Sequence, residues 1–306
     1  MNINTLINAS QVIGRGLAQQ ACRIELMRIG GDGVFWQRRD APLGVGLWCS
    51  KQDWQQWVTT LTGVTSPSEV ASDLLPCISA VAFEAAGEWL VDVLEEIPKP
   101  FGLVPDIYPV LTLQTAQLGQ GNAECASQLA CVLVDWSQDD WQSQVESWSA
   151  FSGKTADVSL SLVAGFVPQL TPIPDLPEIG GGVWLDGDVQ IEQGEALLWA
   201  DGPLAKIKFI TPIDGPQVQL EIVSLLPKMD AIQSPLIAEI GRVSLSLAKL
   251  GAMMAGDKLT LAVTLNSQMI LGRLSSQYGQ EQHQTLASIH LLRGESGLLA
   301  QIEALV

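Results

Sequence analysis

The side chains best suited to chemistry in this 306-residue chain are few and scattered. Its two histidines, His283 and His290, stand seven apart. A metal site or nucleophile–base pair built on them would need cysteine or carboxylate partners, and no cysteine follows Cys131. They are expected as solvated or strand-surface side chains. Asp186-Gly187-Asp188 with Glu192 and Glu195 has the acid density of a calcium loop. It lacks the glycine at the sixth position and the spaced third ligand, so it predicts a polar hairpin turn. Gly30-Gly31-Asp32-Gly33 and Gly180-Gly181-Gly182 would cradle phosphate only if a helix bearing a lysine began directly after them. Val34-Phe35-Trp36 and Val183-Trp184-Leu185 follow instead, both strand-like. The residues therefore predict no catalytic group, no cofactor and no metal, and a protein that is not an enzyme.

The composition narrows the partners. A formal charge of −17 argues against nucleic acid and against an anionic membrane surface, because phosphate recognition needs clustered Lys and Arg. The charge is uneven: residues 228 to 306 carry six basic and six acidic side chains, so the net negative charge sits before them. All ten tryptophans lie at or before Trp199, which marks the same break. The start MNINTLINASQVIGR has no basic segment followed by a long apolar run and predicts no signal peptide. No run of eighteen apolar residues exists, so no ordinary membrane span is expected. The five cysteines (Cys22, Cys49, Cys77, Cys125, Cys131) form no Cys-x-x-Cys pair and read as buried thiols in a reducing cytoplasm.

In the first half, Cys22 to Ile29 and Val45 to Cys49 predict strands separated by a turn at Gly30 to Gly33. A helix over Asp53 to Leu61 follows, with Ser50 as cap and Trp54, Trp57, Val58 and Leu61 on one face. Ser66-Pro67-Ser68-Glu69 is a second helix start, for a helix burying Val70, Leu74, Leu75 and Ile78. Pro98, Pro100, Pro105 and Pro109 predict an extended connection before strands at Val110 to Thr115 and Leu129 to Val134. Trp48 to Trp54 with Val58 then matches Trp136 to Trp141 with Val145 at an offset of 87 residues from Ser50 to Ser137. In both places Trp and Val fall one helical turn apart after a strand. The expectation is a pseudo-symmetric α/β N-terminal domain over 1–150, with its Trp-bearing helices as core packing first and partly exposed interface anchors at Trp57 and Trp148 as the alternative.

In the second half, Val243, Leu245 and Leu247 alternate with serines, and Leu259, Leu261, Val263 and Leu265 alternate with Lys258, Thr260, Ala262 and Thr264, the period of half-buried strands. Gly256-Asp257 is a turn, and Met269 to Leu274 returns as a third strand after Asn266-Ser267. Asp157 to Leu162 repeats Arg242 to Leu247, and Gly180 to Leu185 repeats Gly256 to Leu261. The prolines at 168, 172, 174 and 177 lengthen the connection in the first copy.

This order resembles the SPOA domain of flagellar switch proteins and of the cytoplasmic-ring proteins of type III secretion. Gly241-Arg242, the Leu245, Leu247 and Leu250 series, Gly256-Asp257 with Leu259, and Ile270 to Arg273 carry the resemblance. The polar stretch SSQYGQEQHQ departs from it. A divergent SPOA-like domain over 154–227 and a second over 228–306, behind an acidic N-terminal domain, resemble the layout of the SctQ family. The N-terminal duplication resembles that of CheC-type phosphatases, but no glutamate here has Asn three residues on, so their water-positioning pair is absent. The fold class expected is α+β, an α/β N-terminal domain followed by two small, mainly-β SPOA-like domains.

The resemblance implies a scaffold of the secretion sorting platform, cytoplasmic and peripheral to the inner membrane, with no membrane insertion. Its implied partners are its own C-terminal SPOA fragment or a second copy, the stator protein of the secretion ATPase, the membrane-ring adaptor, and chaperone-bound cargo. A lone β unit of about eighty residues buries only about 60% of its extended surface, which favours pairing of its edges. The dimer core and peptide groove are assigned to Val243, Leu245, Leu247, Leu259, Leu261, Val263, Leu265, Ile270, Leu271 and Leu274, with core packing as the plainer account of the same side chains. Met229 is the candidate internal translation start for a short C-terminal product. A flagellar rotor protein, or an enzyme without a recognisable constellation, are the alternatives.

Overall fold

A computed structural model of the chain describes residues 3–64, 69–84, 86, 88–114, 128–151, 153, 156–167, 177–210, 217–227, 235–277, 280–294 and 297–306. They form two compact units, residues 3–156 and 157–306.

The first unit comprises α1 (Ile3–Ile13), β1 (Leu17–Gln19), β2 (Cys22–Gln37), β3 (Gly46–Ser50), α2 (Lys51–Thr62), α3 (Leu75–Glu84), α4 (Glu88–Val91), β4 (Lys99–Gln114), β5 (Gln128–Val134), α5 (Gln138–Val145) and β6 (Ser149–Ala150). Its sheet runs β3-β5-β4-β2-β1-β6, and β3 pairs also with β2, so that β2, β3, β5 and β4 close a ring. Phe35, Trp48, Leu103, Val110, Val132 and Val134 pack together among these strands. Trp36 meets Trp54 and Phe83 edge-on at 5.1 and 5.3 Å, tying α2 and α3 to β2.

The expected α/β domain is overturned here: every strand pair is antiparallel, and strand predominates over helix throughout the described chain. Two sequence breaks caused the misreading. The Gly30–Gly33 stretch is a bulge inside the continuous β2, and the proline-rich connection is the first part of β4, paired with β2 from Lys99 onward. Glycine is needed there for close approach. A Cβ on Gly30 would lie 2.5 Å from Pro105 Cα, and one on Gly33 would collide with the Cys49 carbonyl oxygen. Pro100, Pro105 and Pro109 are tolerated because β4 pairs with β5 only from Val110, leaving the proline-bearing part with one neighbour.

The duplicated strand-to-helix motif is real but local. Ser50 and Ser137 adopt the same extended φ/ψ, and their hydroxyls accept from Asp53 N at 3.0 Å and Asp140 N at 3.3 Å. The preceding strands pair antiparallel, Leu47 with Leu133. Trp57 and Trp148 are both buried, which sets aside the alternative that they are exposed anchors. The helix start at Ser66 lies outside the described residues; the helix itself begins at Leu75.

The second unit comprises β7 (Asp157–Val167), β8 (Gly182–Leu185), a 3-10 turn (Ile191–Gln193), β9 (Glu195–Trp199), β10 (Pro203–Phe209), β11 (Gln217–Leu225), β12 (Leu236–Ser246), α6 (Leu247–Gly251), β13 (Lys258–Gln277), β14 (Gln280–Gly294) and β15 (Gly297–Leu305). All its pairings are antiparallel, in the order β11-β10-β9-β7-β12-β13-β14-β15-β8 with β11 also on β13. One ring closes through β7, β9, β10, β11, the start of β13, and β12. A second runs through β12, the end of β13, β14, β15 and β8, and returns to β7 by the Phe166–Asp186 bridge.

A pseudo-two-fold relates the rings. In the shared β7–β12 wall, Gly165 pairs with Ala238 and Leu162 with Gly241, while Val163 pairs with Glu239, its own counterpart when Gly165 is matched to Gly241. The correspondence continues outward: Ala205 with Leu198 answers Ala287 with Leu271, and Ile207 with Ile222 answers Ile289 with Ile302. It ends in an exchange. Val218 pairs with Leu261, and Leu298 with Leu185, so each ring takes its closing strand from the other copy. All these side chains are buried. This two-fold matches Gly180–Leu185 to Gly256–Leu261, as the sequence suggests, but not Asp157–Leu162 to Arg242–Leu247; serine–leucine alternation makes two registers look alike.

Candidate functional site

The residues screened for chemistry are scattered or neutralised. His290 Nδ1 stands 3.9 Å from Glu303 Oε1 with both side chains exposed, beyond hydrogen-bond reach. The side chain of His283 lies outside those described. Around the 186–195 turn, Glu195 pairs with Lys206 at 2.9 Å, Lys206 Nζ donates to the Asp188 carbonyl, and Glu192 pairs with Arg293 at 2.9 Å. These cations occupy the acids a divalent ion would need, and no group of three metal-ligating side chains forms among the described residues. Burial pushes the Cys22 thiol up to about 11 and raises those of Cys49 and Cys131 as well, which disfavours the nucleophilic thiolate.

The structure separates the apolar residues assigned to the candidate binding surface. Val243, Leu245, Leu247, Leu261 and Leu271 are buried within the chain; Leu259, Val263 and Ile270 are half-buried; Leu265 is 46% exposed. Leu259 and Leu261 lie opposite Leu220 and Val218, so the start of β13 joins the two copies within one chain. Leu271 belongs to the other ring, packed with Ala287, Ile289 and Ile302. The side chain of Leu274 and all of Met229 lie outside the described residues.

Sequence reasoning missed the polar centre of this unit. Glu239, 1% exposed, accepts from Ser161 Oγ at 2.9 Å, Arg242 Nε at 3.2 Å and Asn266 Nδ2 at 3.3 Å. It sits on the pseudo-two-fold beside Val163, which packs on the apolar side with Phe166, Leu197, Trp199 and Ile237. A buried carboxylate persists only when its oxygens are satisfied, and here three donors from β7, β12 and β13 do so. The available signal was a lone acid in the apolar run LIAEIG.

Apolar side chains are exposed on both units among the described residues. On the second unit, Trp184, 51% exposed on the short strand β8, pairs across to Leu299 and on to Leu292, 40% exposed. On the first, α3 buries Ile78, Ser79, Ala82 and Phe83 and presents Cys77, Ala80 and Val81 outward. No helix among the described residues is long and apolar enough to cross a membrane.

Residues 3–143 match the family model of the SepQ protein N-terminal domain. The match lies within the first unit, 141 of the chain's 306 residues, and likens that unit to the N-terminal domain of a type III secretion protein. No curated protein matches the chain.

Proposed function

We propose that this chain, as a type III secretion protein of the SctQ family, is a non-enzymatic scaffold of the sorting platform. Residues 154–227 and 228–306 act as paired SPOA-like copies, and the body they build binds an extended peptide of the stator that regulates the secretion ATPase. The N-terminal unit contacts the membrane-ring adaptor and meets chaperone-bound cargo. The observation that carries this reading is the exchange of closing strands, β8 to β15 and β13 to β11. Such an exchange makes the two copies one body, and it is an arrangement that a second copy, or a C-terminal fragment, can enter by the same pairing. Half-buried Val263 and exposed Leu265 line the side of β13 facing β12 at Val243 and Gly241. They are the residues to perturb.

Val263→Asp forces a charge into an apolar seam and is expected to abolish pairing with a separately supplied C-terminal fragment. Leu265→Asp, at an exposed position, is expected to leave the fold intact and weaken stator binding. Retention of both fragment pairing and stator binding in the two variants would sink the assignment. Replacing Met229 with a non-start residue and blotting for the short product tests the internal start; an undiminished band rejects it. Co-purification with stator and ATPase, and not with flagellar rotor proteins, separates the two cellular settings.

A further inference from the structure

Helix α3 has two apolar faces. One is anchored: Ile78, Ala82 and Phe83 are buried, Phe83 meets Trp36 edge-on, and the buried Ser79 hydroxyl accepts from Trp36 Nε1 at 3.0 Å. The other should be polar in a surface helix. Instead Cys77, Ala80 and Val81 (42% exposed) occupy it, and Leu74 (50% exposed), in the turn immediately before the helix, extends them at the three- and four-residue spacing that lines up one row. The row is bracketed by exposed Asp73 and Glu84, with Asp92 following on the chain after α4, the helix packed on α3. Between Lys51 and Lys99 the sequence has no basic residue at all.

We infer that this acid-bracketed apolar face of α3 is a docking surface for a basic amphipathic helix of another protein. The charge selects the occupant. A second copy docking face to face would bring Asp73 and Glu84 against their own equivalents, and an anionic lipid surface would be repelled by the same carboxylates. A helix with leucines along one stripe and lysines on its flanks satisfies both the row and its borders, the helix-against-groove mode of recognition. The surface lies on the N-terminal unit and does not rest on the stator-binding reading of the C-terminal one.

Cys77 supplies a local readout, because it is exposed in the middle of the row while Cys22, Cys49 and Cys131 are buried. The probe is an 18-residue leucine–lysine amphipathic peptide, with a leucine–glutamate peptide of the same pattern as control. Alkylation of Cys77 by iodoacetamide in the full-length chain is followed by mass spectrometry. The lysine peptide is expected to slow alkylation at least tenfold at saturation, the glutamate peptide not at all, and Leu74→Ser with Val81→Ser to weaken lysine-peptide binding at least tenfold. Both substitutions are at exposed positions, so the far-ultraviolet circular dichroism should be unchanged. Peptide binding without protection of Cys77, or equal protection in the double variant, overturns the proposal. Protection that appears without peptide and grows with protein concentration overturns it in favour of a second copy.

Discussion

Truncation of Leu261 to alanine is the sharpest test of the strand exchange. Leu261 is 5% exposed and faces Val218, where the start of β13 closes the first ring. Removing its isopropyl end costs about 0.8 kcal/mol per carbon lost from the core, with a further cost for the cavity, so Leu261→Ala should destabilise the unit by about 2–5 kcal/mol. The upper part of that range is expected, because β13 is held by β11 on one side and continues into pairing with β12, which limits collapse. Its counterpart Leu185 lies on four-residue β8, paired along its length only with β15. That wall can shift inward, so Leu185→Ala should fall in the lower part of the range. Urea unfolding gives the two values, and hydrogen exchange gives their location. Leu261→Ala should expose the amides of β11, and Leu185→Ala those of β15. A loss below about 1 kcal/mol for both, or Leu185→Ala costing more than Leu261→Ala, refutes the reasoning.

Glu239→Ala leaves the donors of Ser161, Arg242 and Asn266 without their shared acceptor, and at least about 2 kcal/mol of stability should be lost by urea unfolding, whereas Glu239→Gln should keep part of it. Ser50→Ala and Ser137→Ala each remove one N-cap and should cost about 1 kcal/mol apiece and add when combined, read as a fall in melting temperature. Asp140 is held below the ordinary carboxylate range first by the Ser137 hydrogen bond and then by Arg38 at 2.7 Å. Its folded-state value being depressed, its contribution is complete above the unfolded carboxylate value near 4 and is lost as pH falls through the depressed one. Asp140→Asn should therefore flatten the acid limb of the first unit's stability profile below about pH 4, and an unchanged limb would reject the coupling.

What could be read from the sequence was local. The caps at Ser50 and Ser137 announce themselves because the hydrogen bond spans three residues, and the alternation through Leu259 to Leu265 marks a strand wherever that strand goes. Partners across the sheet are not local. Gly30 and Gly33 read as a turn because the crowding that requires them comes from Pro105 and Cys49, which are distant in the chain. Pro100 to Pro109 read as a connection because the missing neighbour that tolerates them cannot be seen without the sheet. For Trp57 and Trp148, counting tryptophans leaves core and surface anchor both open, and only the packing, which buries both, decides between them. Within the candidate surface, the apolar residues were found and their allotment to two rings was not. That allotment depends on β13 passing from one ring to the other midway.

The exchanged strands also fix an order of events during synthesis. The strands of the N-terminal unit pair only with one another among the described residues, so its sheet is complete once residue 150 has emerged. The first ring cannot close when its own residues have emerged, because it waits for Leu261 to reach Val218. The second waits longer still, since Leu185 pairs with Leu298, made more than a hundred residues later. At about 5–20 residues per second, β8 stands without its partner for several seconds in every nascent chain, carrying Trp184. A stalled or trimmed chain that lacks β15 is left permanently in that condition, with the unpaired edge of β8 as the feature that distinguishes it from the finished molecule.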